Sequence, residues 1–255
     1  METIAKRKQL DMLHGSIWNK LPQFALPVAA TAILEQLFNA SDIAVVGNFT
    51  GAERTAAVAA VGANSPIIGL IVNLFIGIAL GTNVVIAHAI GQGEKDDVQK
   101  AVHTSVVISV LGGALVATLG ELAAAPLLGL LNVPDEVFPL ALLYLRLGMP
   151  VILLYNFEAA IFRSVGETKI PLLALATSGI LNVLLNLFFV AVLHMTVNGV
   201  AIATVISNAV SSILLYCRLR SSKQVIHLEP KLLRVDRMIL IRILRIGLPA
   251  GVQSA

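Results

Sequence analysis

Charge is what this chain of 255 residues has least of. Asp, Glu, Lys and Arg together make up 13% of it, where soluble domains carry roughly 25%. So few charges cannot clothe a water-facing globule, and 57% of the residues are hydrophobic. Cysteine is nearly absent too: Cys217 stands alone, which excludes an internal disulfide and leaves the redox compartment open. No cleavable signal peptide is expected, because the chain is polar through Lys20 and the apolar run that follows is too long for a signal h-region. Catalytic signatures are missing as well. No Gly-x-Ser-x-Gly, Gly-x-Gly-Asp or His-Glu-x-x-His occurs, which argues against an enzyme. Gly91-Gln92-Gly93 precedes acids and reads as a tight turn. His88 and His103 have no companion at metal-ligand spacing and read as interfacial side chains. The net charge of +3 is no nucleic-acid signature, since the basic residues gather at the ends of apolar runs.

What remains is a polytopic membrane protein. Crossing the hydrocarbon core as a helix takes about 20 apolar residues. Six segments qualify: 21–47, 65–90, 102–122, 137–162, 170–193 and 199–217. Turn signals separate them, among them Asn48-Phe49-Thr50-Gly51, Gly91-Gln92-Gly93-Glu94, Asn132-Val133-Pro134-Asp135 and Gly166-Glu167-Thr168-Lys169. Of the 18 Lys and Arg residues, all but Arg54 and Arg146 fall on one side of these spans. The positive-inside rule makes that side cytoplasmic, with the N-terminus on it.

The expected organisation is a cytoplasmic segment over 1–20, a six-helix transmembrane lobe over 21–217, a basic linker over 218–245 and the start of a further span over 246–255. Within the linker, 229–245 reads as an amphipathic helix lying on the inner membrane surface or as a solvated linker helix. The opening of the last segment, Gly247-Leu248-Pro249-Ala250, parallels Ala25-Leu26-Pro27-Val28 of the first span. That parallel suggests one half of a duplicated transporter of roughly 450 residues, truncated or of natural half size, whose missing lobe or a second copy completes it.

Asp42 is the leading functional candidate. It lies in the first span, where a carboxylate costs about 2.5–3.5 kcal/mol even on the mildest insertion scale. Glu35, Asn39 and Asp42 share one face at i, i+4 and i+7. Intramembrane acids usually mark ion paths, so Asp42 is expected to bind a proton or a hard cation such as sodium. Glu35 is read as a second cavity acid that attracts cations. Asn182 and Asn186 share a face of the fifth span, and Thr204, Ser207, Asn208 and Ser211 line the sixth. Helix–helix hydrogen bonding and ion binding are both open for the two asparagines; for span six packing is favoured, except at Thr204. Gly69, Asn73, Gly77 and Gly81 repeat every four residues in span two, which speaks for close helix packing. Pro27 is placed to let the first span bend when Asp42 is loaded. Glu158 is assigned an interfacial role, Glu121 reaches water, and Arg146 snorkels.

The segments Leu37-Phe38-Asn39-Ala40-Ser41-Asp42, Phe162-Arg163-Ser164-Val165-Gly166-Glu167-Thr168-Lys169, Asn182-Val183-Leu184-Leu185-Asn186 and Gly199-Val200-Ala201-Ile202-Ala203-Thr204, in this order, resemble the N-terminal lobe of the multidrug and toxic compound extrusion (MATE) family. The resemblance covers almost the whole chain. It implies an all-α membrane fold and a cation-coupled antiporter in the bacterial plasma (inner) membrane that exports drug-like organic cations. No cofactor is implied beyond the coupling ion, H+ or Na+. The coupling site it implies is Asp42 with Asn156, Asn182, Asn186 and Thr204, beside a substrate cavity at Glu35, Phe38 and Asn39. Position 186 is Asn where some relatives have Asp, and position 38 is Phe where Tyr is frequent, so the site holds one carboxylate where some relatives hold two. A lipid-linked precursor flippase is the alternative, disfavoured by the near absence of Lys and Arg within the spans.

Overall fold

A computed structural model describes residues 17–51, 54–148 and 152–254. Eight helices follow one another: α1 (Ile17–Phe49), α2 (Arg54–Gln92), α3 (Lys95–Leu130), α4 (Phe138–Gly148), α5 (Ile152–Ser164), α6 (Lys169–Asn186), α7 (Val197–Arg220) and α8 (Arg237–Ser254). No strand occurs among the described residues. This is the structure an apolar solvent demands, because a helix satisfies its own backbone hydrogen bonds.

Five stretches are long and apolar enough to cross a membrane: Trp18–Phe49, Arg54–Gln92, Lys95–Leu130, Lys169–Val192 and Val197–Arg220. The residues of the expected fourth span form α4 and α5, 11 and 13 residues long, on either side of 149–151. Residues 149–151, with Pro150 among them, and the N-terminal segment 1–16 lie outside the described residues. The spans also run longer than the apolar runs suggested. At 1.5 Å per residue the 39 residues of α2 extend about 58 Å, beyond the apolar core.

The turn signals act through one backbone device. After α2, α3 and α5 the chain enters the left-handed region, at Gly93, Asn132 and Gly166. In each case the following residue donates back to a carbonyl five residues earlier: Glu94 to Ala89 at 2.9 Å, Val133 to Leu128 at 3.4 Å and Glu167 to Phe162 at 3.0 Å. These are Schellman caps, and Gly and Asn tolerate the positive φ they need.

Helix α2 is the spine, packed against α1, α3, α4, α5 and α8, while α6 joins α1 to α7. Two apolar cores result. One lies towards the end that carries the basic residues and includes Phe75, Ile86, Phe157, Ile161 and Leu219. The other lies towards the opposite end and includes Val46, Leu128, Leu145 and Val200. At that opposite end Arg146 of α4 pairs with Glu121 of α3 at 3.0 Å, where the sequence suggested a snorkelling cation and a water-facing acid.

The segment after α7 is not a surface helix from Glu229. Residues 221–236 are irregular apart from the turn Pro230–Leu232, and the helix starts only at Arg237. The irregular strap lies on the basic end of α3. Gln99 donates to the Val225 carbonyl, Asp236 N–H donates to Thr104 Oγ1 at 3.0 Å, and His103 Nε2 faces both the N–H and the C=O of Glu229. His103 is therefore buried, not interfacial. Helix α8 then runs unbroken to Ser254 along α2, burying Ile239, Ile243, Gly247 and Gly251. The glycines carry that contact. A Cβ on Gly77 would lie 2.1 Å from Gly251 N, and one on Gly81 2.3 Å from the Ile243 carbonyl oxygen. Small residues let two backbones touch where lipid supplies no hydrophobic drive for association.

Candidate functional site

Asp42 is 5% exposed, in the last third of α1. Two helices bring it hydrogen bonds. From α6, Asn186 Nδ2 donates to Asp42 Oδ1 at 2.6 Å and to Asn182 Oδ1 at 3.1 Å. Asn182 Nδ2 in turn donates to Thr204 Oγ1 at 3.3 Å. From α7, the Thr204 hydroxyl lies 3.4 Å from Asp42 Oδ2 and 2.9 Å from the Val200 carbonyl oxygen, so its single proton serves one or the other. The i, i+4 spacing of the asparagines places both amides on the face of α6 that meets α1.

Oxygen dominates the cluster: two carboxylate oxygens, the Asn182 carbonyl, the Thr204 hydroxyl and Asn186 Oδ1, which is buried without a partner. Such a set suits a proton or a hard cation. Turning the Asn186 amide by half a turn would exchange its donor for its unpartnered acceptor, so the same two atoms can face a charged or a protonated Asp42. Immediately after Asn186 the α-helical pattern gives way to a π-helix, Leu187–Val192, with Leu193 N–H bonded to the Phe188 carbonyl. Such wide turns often accompany functional residues and leave a helix with an alternative register.

The structure thus gathers Asp42, Asn182, Asn186 and Thr204. Asn156 is half-buried on α5, and Asn39 is exposed on α1 and makes none of these hydrogen bonds. Glu35 lies two turns nearer the basic end, within electrostatic reach of Arg163 and Tyr155 of α5. Phe38 lies between the two acids, its ring against the backbone of Gly179 on α6, where a Cβ would come within 1.9 Å of Phe38 Cε2. Ser207 and Ser211 bond within their own helix, to the Thr204 and Asn208 carbonyls. One neighbour escaped the sequence reading. Tyr144 of α4 is half-buried and interacts electrostatically with Asp42. The signal was a phenol in a helix whose one other polar side chain is Arg146, since a buried Tyr usually finds a polar partner.

Known proteins resemble this chain in sequence and in fold. The MatE family model matches residues 27–188. The chain is 27% identical over 247 residues to a probable multidrug resistance protein, YoeA, of Bacillus subtilis, covering 93% of this chain and 53% of that protein. It is 24% identical over 249 residues to the probable multidrug resistance protein NorM of Thermotoga maritima, covering 93% and 52%. Among solved structures, a MATE protein in its bent conformation superposes with a TM-score of 0.88 at 26% identity, covering 96% of this chain and 55% of that one. A MOP-superfamily transporter from Pyrococcus furiosus, described as having a binding pocket of reversed polarity, superposes with a TM-score of 0.85 at 26% identity, covering 97% and 55%. The chain spans about half the length of the relatives it matches. With a family model matched over most of its length and an all-helical, multi-span membrane fold in common with solved members, the chain belongs to the MatE family.

Proposed function

We propose that this chain is the N-terminal lobe of a cation-coupled antiporter that exports drug-like organic cations by alternating access. The observation that carries the proposal is the buried Asp42 carboxyl, bonded by Asn186 and Thr204 from two other helices. A charged group in that position is costly unless a cation exchanges there. Loading the cation would favour one packing of α1 against α6 and α7, and unloading another; a ligand shifts such an equilibrium only by its difference in affinity for the two states. Pro27 inside α1 and the π-turn after Asn186 are the places where these helices can give. The strongly basic end is the cytoplasmic side, in the bacterial plasma membrane. The second lobe, or a second copy of this chain, supplies the opposite wall of the substrate cavity. The oxygen set is compatible with H+ and with Na+ as the coupling ion.

Vesicles containing this chain, loaded with a fluorescent cationic dye and given an imposed proton or sodium gradient, test the proposal. Efflux that follows one gradient and vanishes in Asp42→Asn is the expected result. Full coupled efflux in Asp42→Asn would overturn the assignment of Asp42.

A further inference from the structure

A second acid is buried more deeply than Asp42. Glu158 sits in α5 and has no exposed surface. The sequence placed it at the membrane interface; the structure places it inside the lobe, because α2, α3, α6 and α7 all pack around α5. Both carboxyl oxygens are without a hydrogen-bond partner. Asn83 of α2 donates to the Ala160 carbonyl of α5 at 3.1 Å, and Ser212 Oγ of α7 is itself buried without a partner.

The charged and titratable groups of the surrounding helices do not serve it. Towards the basic end they are His88 on α2, Lys95, Asp96, Asp97, Lys100 and His103 on α3, Lys169 on α6, and Tyr216, Cys217, Arg218 and Arg220 on α7. Tyr155 and Arg163 lie on α5 itself, and Glu35 on α1 interacts with those two. No side chain among the described residues donates a hydrogen bond to the Glu158 carboxyl. His103 is engaged by Gln99 and Glu229, and Asp97 by Lys100 and Arg242.

An unpartnered buried polar group costs about 1–3 kcal/mol, and an unpaired buried charge costs more. A hard metal ion is the wrong occupant, for it takes six or more oxygens in general, and among the described residues no group of three His, Cys, Asp or Glu could hold a metal. One proton neutralises a lone carboxyl with no further ligand. Access points the same way. Glu158 is six residues before the end of α5 at Ser164, about 9 Å from the basic end at 1.5 Å per residue. Asn182, at the level of Asp42, is thirteen residues into α6 from the same end, about 20 Å deep.

We propose that Glu158 is a second proton-binding carboxyl of the lobe, exchanging its proton at the end that carries the basic residues and independent of Asp42. When the helices around α5 repack, Glu158 meets water at that end and releases the proton; when they close, it carries one. A permanently neutral, purely structural acid would bind no proton reversibly, and that difference is measurable.

Infrared difference spectroscopy on the purified, membrane-reconstituted chain, stepped between about pH 5 and 9, reads carboxyl protonation directly. The expected spectrum holds a carbonyl-stretch band that fades reversibly as pH rises, is missing in Glu158→Gln, is displaced in Glu158→Asp and persists in Asp42→Asn. A band lost in Glu158→Gln that does not change with pH would make Glu158 a fixed neutral acid and overturn the proposal, as would spectra in which the Glu158 variants lose or displace no band. Glu158→Asp keeps the acid and serves as the assignment should Glu158→Gln fail to fold. Because the Asp42 band is read separately in Asp42→Asn, failure of one assignment leaves the other standing.

Discussion

Asn186 holds Asp42 across the α1–α6 contact at 2.6 Å, an amide donor facing a carboxyl. The consequence is a site with one negative charge at most. Asn186→Asp should change that. Two carboxyls would then face one another at hydrogen-bond distance, and like charges so close cannot both stay ionised without a cation between them. Anything that binds only the folded form stabilises it by mass action. The melting temperature of Asn186→Asp should therefore rise with added sodium at constant ionic strength, and by more than that of the unsubstituted chain. Equal responses of the two proteins to sodium would remove Asn186 from the ion site.

Phe38 and Gly179 form the floor beneath that site. Any Cβ at position 179 would collide with the Phe38 ring, so Gly179→Ala must displace that ring or push α1 away from α6. Overpacking of this kind costs typically about 1–3 kcal/mol. Trimming the ring should relieve it, making Gly179→Ala much less damaging in a Phe38→Ala background. A double-mutant cycle on thermal unfolding in detergent measures the coupling. Additive losses would show that the ring and the glycine do not bear on one another.

The legibility of this chain follows the same physical line. The apolar runs and Schellman caps were readable because each depends on a few neighbouring residues: Gly93, Asn132 and Gly166 end helices where the turn signals stood. Asp42, Asn182, Asn186 and Thr204 stood out because each is polar in an apolar stretch, and three helices bring them to one point. Glu158 and His103 were misplaced for the opposite reason. Their burial depends on other elements, α2, α3, α6 and α7 around Glu158 and the Glu229 backbone at His103, and distance from a span end says nothing of that. The strap 221–236 looked helical in part because its apolar spacing is right, yet its backbone bonds go to α3. Tertiary pairing overrode the local pattern. Of the four-residue Gly/Asn row in α2, close packing was legible but its partner was not, since α8 lies well over a hundred residues away.

That partner gives a further test. Gly77 and Gly81 meet Gly247 and Gly251 backbone to backbone, and Arg242 of α8 reaches Asp97 at 3.5 Å. Gly77→Val should separate α8 from α2, because the atoms it would strike are main chain and cannot swing aside. Limited trypsin cleavage at Arg242 and Arg245 should then accelerate about tenfold or more, a shift of at least 1.4 kcal/mol in the docking equilibrium. Cleavage at the original rate would show that α8 does not depend on this contact.

Asp236 controls how α8 begins, and it makes docking sensitive to acid. Its Oδ1 accepts the backbone N–H groups of Ile239 and Met238, both at 3.0 Å, as a helix N-cap does. The Ile239 hydrogen bond is the main reason that the carboxyl is held below the ordinary carboxylate range; the Met238 bond and the nearby Lys100 and Arg234 add to it. A carboxyl whose value is lowered on folding contributes stability that is fully present above its unfolded value, about 3.9, and is lost as pH falls through the folded one. Hydrogen-exchange protection of 236–245, corrected for intrinsic rates, should thus stay level from neutral pH down to about pH 4 and fall below it. In Asp236→Ala the protection of the first turn should already be reduced at neutral pH, with no further acid limb. If Asp236→Ala keeps the acid limb of the unsubstituted chain, another carboxylate governs it, and Asp97, which pairs with Arg242, is the next to replace.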